Sequence, residues 1–173
     1  MRAIADGEDA ACRLLVDRHL PRLHAMATRL LDDATEAEDV CQDTFLKAWK
    51  SASNWTPGAA RFSTWLHGVA LNACRDRLRR RRPQADMRPE TLDDPAPGPA
   101  QHVASALTAR AVRRAITALP ERQREALVLC HFQELPQAEA AALLGVSVDA
   151  LESLLARARR GLRQALVTEG AAP

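Results

Sequence analysis

Apolar residues recur at the period of an α-helix through most of this chain. The series Leu15, His19, Leu23, Met26 and Leu30 advances in steps of three and four residues, so that these side chains form one buried stripe of a helix. No stretch alternates with a period of two for long enough to indicate a sheet. The sequence therefore predicts an all-α protein.

Two further helices are predicted in the first half of the chain. Thr35-x-x-Glu38 has the form of a capping box, which opens a helix, and Cys41, Phe45 and Trp49 follow it at four-residue spacing. The segment SASNWTPGAARF then reads as a loop, because it is rich in Ser, Asn, Pro and Gly. A third helix after this loop runs into a cluster of arginines.

A proline-rich segment divides the chain in two. PQADMRPETLDDPAPGPAQ contains five prolines and few residues that a core would bury, which is typical of an extended linker. We therefore expect two small helical domains, residues 1–82 and 107–173, joined by a flexible linker over residues 83–106. A chain of 173 residues is long enough for this arrangement.

Charge is unevenly distributed, although the net charge is only +2. Residues 51–82 carry seven basic side chains and one acidic side chain, and six of these arginines fall in the segment NACRDRLRRRR. A cationic patch of this density predicts contacts with phosphates. Residues 83–106 carry four acidic side chains and one basic side chain, so the linker is expected to screen the patch in the free protein.

The sequence predicts neither a membrane protein nor an exported protein. A hydrophobic share of 47% and a charged share of 27% are those of a soluble globular chain. No apolar run approaches the roughly 18 residues of a membrane span, and no export signal opens the sequence. We expect a cytoplasmic protein with no direct membrane insertion.

The four cysteines form no CxxC pair, so no metal or other cofactor is predicted. Most cysteines outside such pairs serve as small core residues. Cys74 is the better candidate for a reactive thiolate, because neighbouring guanidinium groups would lower its pKa. The pair Cys130 and His131 leaves sensitivity to metal or redox state open.

The segment PQAEAAALLGVSVDALESLLARARRGL has the spacing of a helix-turn-helix. Ala141 is small where the two helices would cross, and Gly145 stands four residues later, where the turn requires a positive φ angle. Val146 would fill the space between the helices, Ser147 would cap the second helix and Leu151 would anchor it from below. A coincidental helical hairpin is the alternative.

The second helix of such a unit lies in the major groove of DNA, where its outward side chains contact bases and phosphates. Arginine is the usual bidentate partner of guanine, and glutamate accepts from a cytosine amine. An exposed face with charge pairs four residues apart is the other interpretation. The predicted DNA-binding residues are Ser147, Asp149, Glu152, Ser153, Ala156, Arg157, Arg159 and Arg160.

The two halves together resemble a known family. EAEDVCQDTFLKAWKSASNW and FSTWLHGVALNACRDRLRRRR, followed by LPERQREALVLCHFQELPQAEAAALLGVSVDALESLLARARRGL, are similar to bacterial extracytoplasmic-function sigma factors, small members of the sigma-70 family. The resemblance covers nearly all of the chain except the linker. It implies a sigma domain 2 at residues 1–82, a sigma domain 4 at residues 107–173, and a transcription initiation factor rather than an enzyme.

The resemblance assigns the helix EDVCQDTFLKAW to core RNA polymerase, at the clamp helices of its largest subunit. Domain 4 would contact the flap of the second-largest subunit. Apolar anchors among acidic groups suit a basic partner surface, although Phe45 and Trp49 are equally compatible with core positions. The implied polymerase-binding residues are Asp39, Gln42, Asp43, Phe45, Leu46 and Trp49.

The resemblance also assigns the −35 promoter element to domain 4, and the −10 element to the loop NWTPGAARF and the helix after it. Melting requires that an unpaired base be captured and stacked on aromatic rings, while arginines neutralise neighbouring phosphates. A packed core is the other interpretation of the aromatic residues. The implied residues are Asn54, Trp55, Arg61, Trp65, Asn72, Arg75, Arg77, Arg79 and Arg80.

Two positions depart from the family pattern. Gly68 stands where a basic residue is common, which removes one expected phosphate contact, and a glycine inside a helix costs about 1 kcal/mol relative to alanine. Pro136 stands where a capping serine or threonine is usual, and proline is tolerated at a helix start. Neither departure removes the implied function.

Such factors are usually controlled by an anti-sigma factor, often tethered to a membrane. The resemblance therefore implies promoter DNA and an anti-sigma factor as partners, and a chain held at the inner membrane through the latter. A sigma-like decoy that sequesters an anti-sigma factor is the alternative, disfavoured because arginines remain at both DNA surfaces. If the chain were a simple helix-turn-helix repressor, the segment EDVCQDTFLKAW would have no function. A hydrolase or metalloenzyme lacks any supporting motif.

Overall fold

The computed structural model describes residues 1–56, 61–81 and 100–170. Within these ranges the chain forms α-helices and one π-helical turn, with no strand, which confirms the all-α prediction. The helices are α1 (Arg2–Ala5), α2 (Asp9–Leu31), α3 (Ala34–Lys50), α4 (Phe62–Arg81), α5 (Ala100–Thr117), α6 (Glu121–Leu127), α7 (Gln137–Leu144) and α8 (Val148–Gly170); the π-helical turn, Val128–Phe132, follows α6.

Helices α1 to α4 form the first helical unit, in which α3 and α4 pack on the long helix α2. Leu23, Met26 and Leu30 of α2 are buried, as the apolar stripe predicts. They share a core with Val40 of α3 and Leu66 of α4. Packing of these apolar faces holds the three helices together.

The turn between α2 and α3 is set by two aspartates. Asp32 ends α2 in the left-handed conformation, with φ of 54°. Asp33 is extended, and its carboxylate accepts a hydrogen bond from the backbone N–H of Glu36 at 2.9 Å. The capping box predicted at Thr35 and Glu38 is therefore wrong, because Asp33 caps the helix two residues earlier.

Helices α5 to α8 form the second helical unit, in which α8 packs against α5, α6 and α7. The π-helical turn extends α6 with wider hydrogen bonding, since the N–H of Gln133 donates to the carbonyl of Val128 at 3.0 Å. Val128 and Leu129 are buried there. The π-helical turn therefore remains part of the core where the chain leads from α6 to α7.

Helix α5 begins before the predicted second domain. Residues 100–106 of the predicted linker belong to this helix, since no proline follows Pro99 until Pro120 and nothing in QHVASALTAR breaks a helix. Residues 83–99 of the predicted linker lie outside the described residues.

The two helical units share one hydrophobic core. Leu66 and Leu71 of α4 belong to the same buried cluster as Val128, Leu129 and Leu144 of the second unit. Contacts between the units involve α2 with α5 and with the π-helical turn. The sequence predicts two domains with a linker between them, and does not predict this packing.

Candidate nucleic-acid interfaces

Helices α7 and α8 form the helix-turn-helix that the spacing predicts. Gly145 ends α7 with φ of 65°, and Val146 packs against the core behind the turn. The hydroxyl of Ser147 accepts a hydrogen bond from a backbone N–H in the first turn of α8 at 3.2 Å. Ala141 and Leu151 are buried. The predicted position of each of these five residues is thereby confirmed.

Helix α8 is anchored on one side and polar on the other. Leu151, Leu155 and Ala158 are buried against the rest of the unit, so the orientation of the helix is fixed by packing. Ala156 is half-buried, whereas the other candidates for contact with DNA are exposed: Ser147, Asp149, Glu152, Ser153, Arg157, Arg159 and Arg160. A rigid helix with these donors and acceptors outward has the chemistry of major-groove recognition.

A cleft of about 550 Å³ runs beside this helix. Its walls include Glu152 and Arg159 of α8, and Cys130 and His131 of the π-helical turn. Burial raises the pKa of the Cys130 thiol. In the described part of the chain, no cluster of three or more His, Cys, Asp or Glu side chains is arranged to hold a metal ion.

Three aromatic rings meet where the chain enters α4. The ring centroids of Trp55 and Phe62 are 5.1 Å apart at 88°, those of Trp55 and Trp65 are 5.3 Å apart, and those of Phe62 and Trp65 are 5.6 Å apart at 30°. All three rings are half-buried, while Asn54 and Arg61 beside them are exposed. Rings fixed in this way are suited to stacking with an unpaired base. Residues 57–60 of the predicted loop lie outside the described residues.

The arginines of α4 do not form one uniform patch. Arg75 binds the carboxylate of Glu125 through two bonds, Nε to Oε1 at 2.6 Å and Nη2 to Oε2 at 2.9 Å. Arg77 donates to Asp43 of α3 at 3.1 Å. These two predicted DNA contacts are therefore occupied by carboxylates of the chain itself.

The C-terminal end of α4 carries two exposed arginines and one arginine that joins α4 to α3. Arg79 reaches Asp76 at 2.8 Å and remains 75% exposed, and Arg80 and Asn72 are also exposed. Arg81 is bound by the carboxylates of Asp33 and Glu36, which fastens α4 to the start of α3. Arg82 lies outside the described residues.

One face of α3 is exposed and mixes apolar with acidic side chains. Leu46 is 41% exposed and Trp49 is 38% exposed, and Asp39, Gln42 and Asp43 are exposed beside them. Phe45 is instead 4% exposed and belongs to the core cluster. The assignment of Phe45 to a partner surface is therefore corrected: its side chain serves the core, because it lies on the inner face of α3.

The prediction of a reactive thiolate at Cys74 is wrong. Burial raises the pKa of Cys74 to about 12, and this desolvation outweighs the nearby Arg77 guanidinium, which lowers it. Cys41 is buried in the same cluster, and burial raises its pKa to about 11.

Two residues of these sites were not predicted from the sequence. Phe62 completes the aromatic cluster, and its spacing between Trp55 and Trp65 was an available signal. Glu125 binds Arg75 from 50 residues away, and no local pattern in ERQREALVL indicates such a partner.

Comparisons with known proteins cover both helical units. Residues 15–84 match the family model for Sigma-70 region 2, and residues 109–162 match that for Sigma-70, region 4. The chain is 38% identical over 161 residues to the ECF RNA polymerase sigma factor SigM of Mycobacterium tuberculosis, covering 92% of this chain and 79% of SigM. It is 35% identical over 156 residues to the ECF RNA polymerase sigma factor SigE of Mycolicibacterium smegmatis, covering 88% of this chain and 60% of SigE.

A solved structure shows the same arrangement of helices. The sigma factor RpoE from Bartonella quintana, crystallised in complex with the anti-sigma factor NepR, matches with a TM-score of 0.72 at 29% identity, over 89% of this chain and 95% of RpoE. No described helix of this chain combines the length and the apolar character needed to cross a membrane. Because the sequence matches span both units in the same order, the chain belongs to the extracytoplasmic-function sigma factors of the sigma-70 family.

Proposed function

We propose that this chain binds core RNA polymerase, directs it to promoters with −35 and −10 elements, and melts the −10 element. The observation that carries the proposal is the exposed face of α3. Large apolar side chains remain exposed there among carboxylates, on a helix whose other face is buried. Exposed apolar groups rimmed by polar ones are typical of a protein–protein interface.

The polymerase-binding surface consists of Leu46 and Trp49 as apolar anchors, with acidic and amide groups around them. The anchors supply most of the affinity, and the carboxylates favour a basic partner such as the clamp helices of the largest subunit. Asp43 also binds Arg77 of α4, so this surface is held in a fixed orientation to the −10 site. The surface residues are Asp39, Gln42, Asp43, Leu46 and Trp49.

The −10 element would be opened at the aromatic cluster. Unstacking a base costs a few kcal/mol unless the base is captured, and stacking on an aromatic ring returns about 1–3 kcal/mol per base. Trp65 and Trp55 supply the rings, and Asn54 and Arg61 supply polar groups beside them. The adjoining DNA backbone is held by exposed residues of α4: Asn72, Arg79 and Arg80.

The second helical unit has two further roles in this proposal. Helix α8 reads the −35 element, and the unit contacts the flap of the second-largest subunit of the polymerase.

Run-off transcription with purified core polymerase and a promoter library tests this function. We expect discrete new start sites that share two upstream elements. A Leu46→Ala/Trp49→Ala variant should lose at least about tenfold of this output, since truncating two interface anchors costs more than 1 kcal/mol each. Val167→Ala, which truncates an exposed apolar residue near the end of α8, is the matched control and should retain the output.

The transcription experiment has two possible negative results, and they have different meanings. A chain that binds core polymerase and opens no promoter is a sigma-like decoy for an anti-sigma factor. A chain that does not bind core polymerase contradicts the assignment of the α3 face.

An anti-sigma factor is the regulatory partner that the family relationship favours. The RpoE relative was crystallised with one, and we extend this kind of partner to the present chain. We place the chain in the bacterial cytoplasm and, when inactive, at the inner membrane through its anti-sigma factor. We expect the chain to co-purify with membranes of its native host. This association should be lost when the exposed apolar residues of α3, Leu46 and Trp49, are mutated.

A further inference from the structure

A histidine of α2 lies against the aromatic cluster at the start of α4. The ring centroids of His19 and Phe62 are 6.1 Å apart, and the two planes meet at 73° in an edge-to-face contact. His19 is half-buried there. Phe62 in turn stacks on Trp65, so the imidazole supports a ring assigned above to base capture through one intermediate ring.

His19 is the titratable member of the apolar stripe of α2. The other four positions of the stripe carry leucine or methionine, which cannot gain a charge. A neutral imidazole packs on an aromatic ring much as an apolar side chain does, whereas an imidazolium loses free energy when it is taken out of water. The proton on His19 therefore decides how the stripe contacts Phe62.

The surroundings of His19 favour its neutral form. Burial is the largest effect, and with Arg18 and Arg22 on α2 and His67 on α4 it lowers the pKa of His19 below its ordinary value of 6.5. Within the described residues, these three are the charged or titratable groups that act on His19. Glu134 pairs with Arg22 at 3.2 Å. At neutral pH His19 is thus uncharged and rests on Phe62.

Protonation would weaken this contact. The imidazolium is repelled by the two neighbouring guanidinium groups and must be hydrated, so it would turn away from the ring of Phe62 toward water. Phe62 would then lose its edge contact, and Trp65 would lose a fixed neighbour. A base stacks less tightly on rings that must first be ordered, because binding then carries the entropic cost of ordering them.

We propose that His19 is a positioning residue for promoter melting: its neutral imidazole holds Phe62, and through it Trp65, in the arrangement that captures an unpaired base, and protonation of His19 weakens this capture. The inference deepens the proposed function and rests on it, because it takes the aromatic cluster as the −10 site. Because the pKa of His19 is lowered, capture is complete at neutral pH and decreases as the pH falls below 6.5.

Tryptophan fluorescence of the free, full-length chain tests the contact without polymerase. The chain has three tryptophans, and Trp49→Phe leaves the two of the aromatic cluster as the emitting groups. Acidification of Trp49→Phe from about pH 7.5 to about pH 5.5 should shift the emission, with a midpoint below 6.5. His19→Phe in the same background should abolish the shift, since a phenyl ring keeps the contact and cannot be protonated.

His24→Phe is the matched control for this titration. It makes the same change at another half-buried histidine of α2, and in the Trp49→Phe background it should retain the shift. An emission shift that persists in His19→Phe, or one that is absent from Trp49→Phe itself, would overturn the inference.

Promoter opening by the chain bound to core polymerase connects the contact to function. The probe is a promoter recovered from the run-off library, with 2-aminopurine in its −10 element, whose fluorescence rises when the base unstacks. Relative to His19→Phe, opening by the wild type should fall about two- to tenfold between about pH 7.5 and about pH 5.5, the range that one aromatic pair contributes to an equilibrium. The ratio cancels the pH dependence of the polymerase itself, and His24→Phe should follow the wild-type profile.

His19→Ala removes the ring at every pH. At about pH 7.5 it should open the promoter about two- to tenfold less than the wild type, with unchanged binding to core polymerase, and His19→Phe should restore most of the opening. If His19→Ala loses helicity by circular dichroism, the profiles of His19→Phe and His24→Phe decide the matter, because both variants keep a ring.

Failure of the inference and failure of the proposed function give different results. A wild-type chain that opens the promoter with the same pH profile as His19→Phe would refute the inference and leave the proposed function standing. A chain whose fluorescence follows His19, but which opens no promoter, would refute the proposed function and leave the positioning of Phe62 by His19 standing.

Discussion

The arginines of α4 differ in how much their ion pairs contribute to the stability of the fold. Arg79 is exposed, and an exposed ion pair such as that with Asp76 contributes at most about 1 kcal/mol. Glu125 is almost fully buried and is bound by Arg75 and, at 3.4 Å, by Arg122. A buried carboxylate left with no partner destabilises a fold by about 3–5 kcal/mol, so loss of Arg75 alone should cost less than this and more than loss of the exposed pair. Substitutions of neighbouring arginines will therefore separate into those that leave folding unchanged and those that destabilise the fold.

Cys74 offers a test of how burial controls chemistry at a single residue. Its pKa is raised from 9.0 to about 12, first by desolvation. Below pH 9 the thiol is neutral in both the folded and the unfolded chain. As pH rises from 9 toward 12, the unfolded thiol ionises and the folded one does not, so the free energy of unfolding decreases. We expect this decrease in urea titrations at successive pH values.

The matched variant is Cys74→Ala, which removes the ionisable group from the same position. Between pH 9 and pH 12 its free energy of unfolding should decrease less steeply than that of the wild type. The variant lacks the Cys74 thiol, which in this range ionises in the unfolded chain but not in the folded one. The chain contains no tyrosine, which removes one competing titration. Identical pH profiles for the two proteins would contradict the raised pKa.

At the scale of elements, the helix-turn-helix depends on one backbone conformation. Gly145 has φ of 65° between α7 and α8, in the region that residues with a Cβ atom adopt at a cost. Apart from the two neighbouring residues in the chain, no atom lies within 4 Å of an added Cβ there, so the cost of a substitution is conformational and not steric. At Gly68, by contrast, an added Cβ would lie 2.9 Å from Cδ2 of Leu143, so a substitution there is limited by space.

Gly145→Ala should lower the free energy of unfolding by about 1 kcal/mol, since alanine is strained at positive φ. Gly145→Asn should lose less, because asparagine tolerates the left-handed conformation. Urea denaturation followed by circular dichroism measures both. A loss equal for the two variants would indicate that packing, rather than backbone conformation, limits the turn.

Local patterns were sufficient for some elements and not for others. The positions of Gly145, Val146 and Ser147 follow from spacing within one short segment, and the structure has them as predicted. The start of α3 was misplaced because two overlapping capping motifs compete, and Asp33 prevails over Thr35. The burial of Phe45 and the exposure of Leu46 depend on how α3 packs on its neighbours, which a local pattern does not show.

At the scale of the whole molecule, the packing of the two units on each other had no signal in the sequence. The contact between Gly68 and Leu143 joins residues far apart in the chain, and so does the pair of Arg75 and Glu125. A glycine within a helix predicts only a loss of helical propensity. Its role depends on which residue approaches it, and that is decided by tertiary structure.

A shared core predicts that the units unfold together. Because Leu66 and Leu71 pack in one cluster with Val128 and Leu129, heating the wild-type chain should give a single transition by calorimetry. Gly68→Arg should give two transitions, or one broadened transition, since each unit then unfolds by itself. Ala10→Arg, which adds the same charge at an exposed position of α2, is the matched control and should retain the single transition. Two transitions in the wild type would contradict a common core.

The π-helical turn constrains the number of residues in the chain as well as their identity. Removing any one residue between 128 and 132 would restore ordinary helical hydrogen bonding and rotate everything downstream by about 100° around the helix axis. Phe132 would leave the Arg29 guanidinium, now 4.3 Å from its ring centre, and Gln133 would turn away from His67. A one-residue deletion here would thus rotate the downstream helices relative to α4 and break the contacts that join the two helical units.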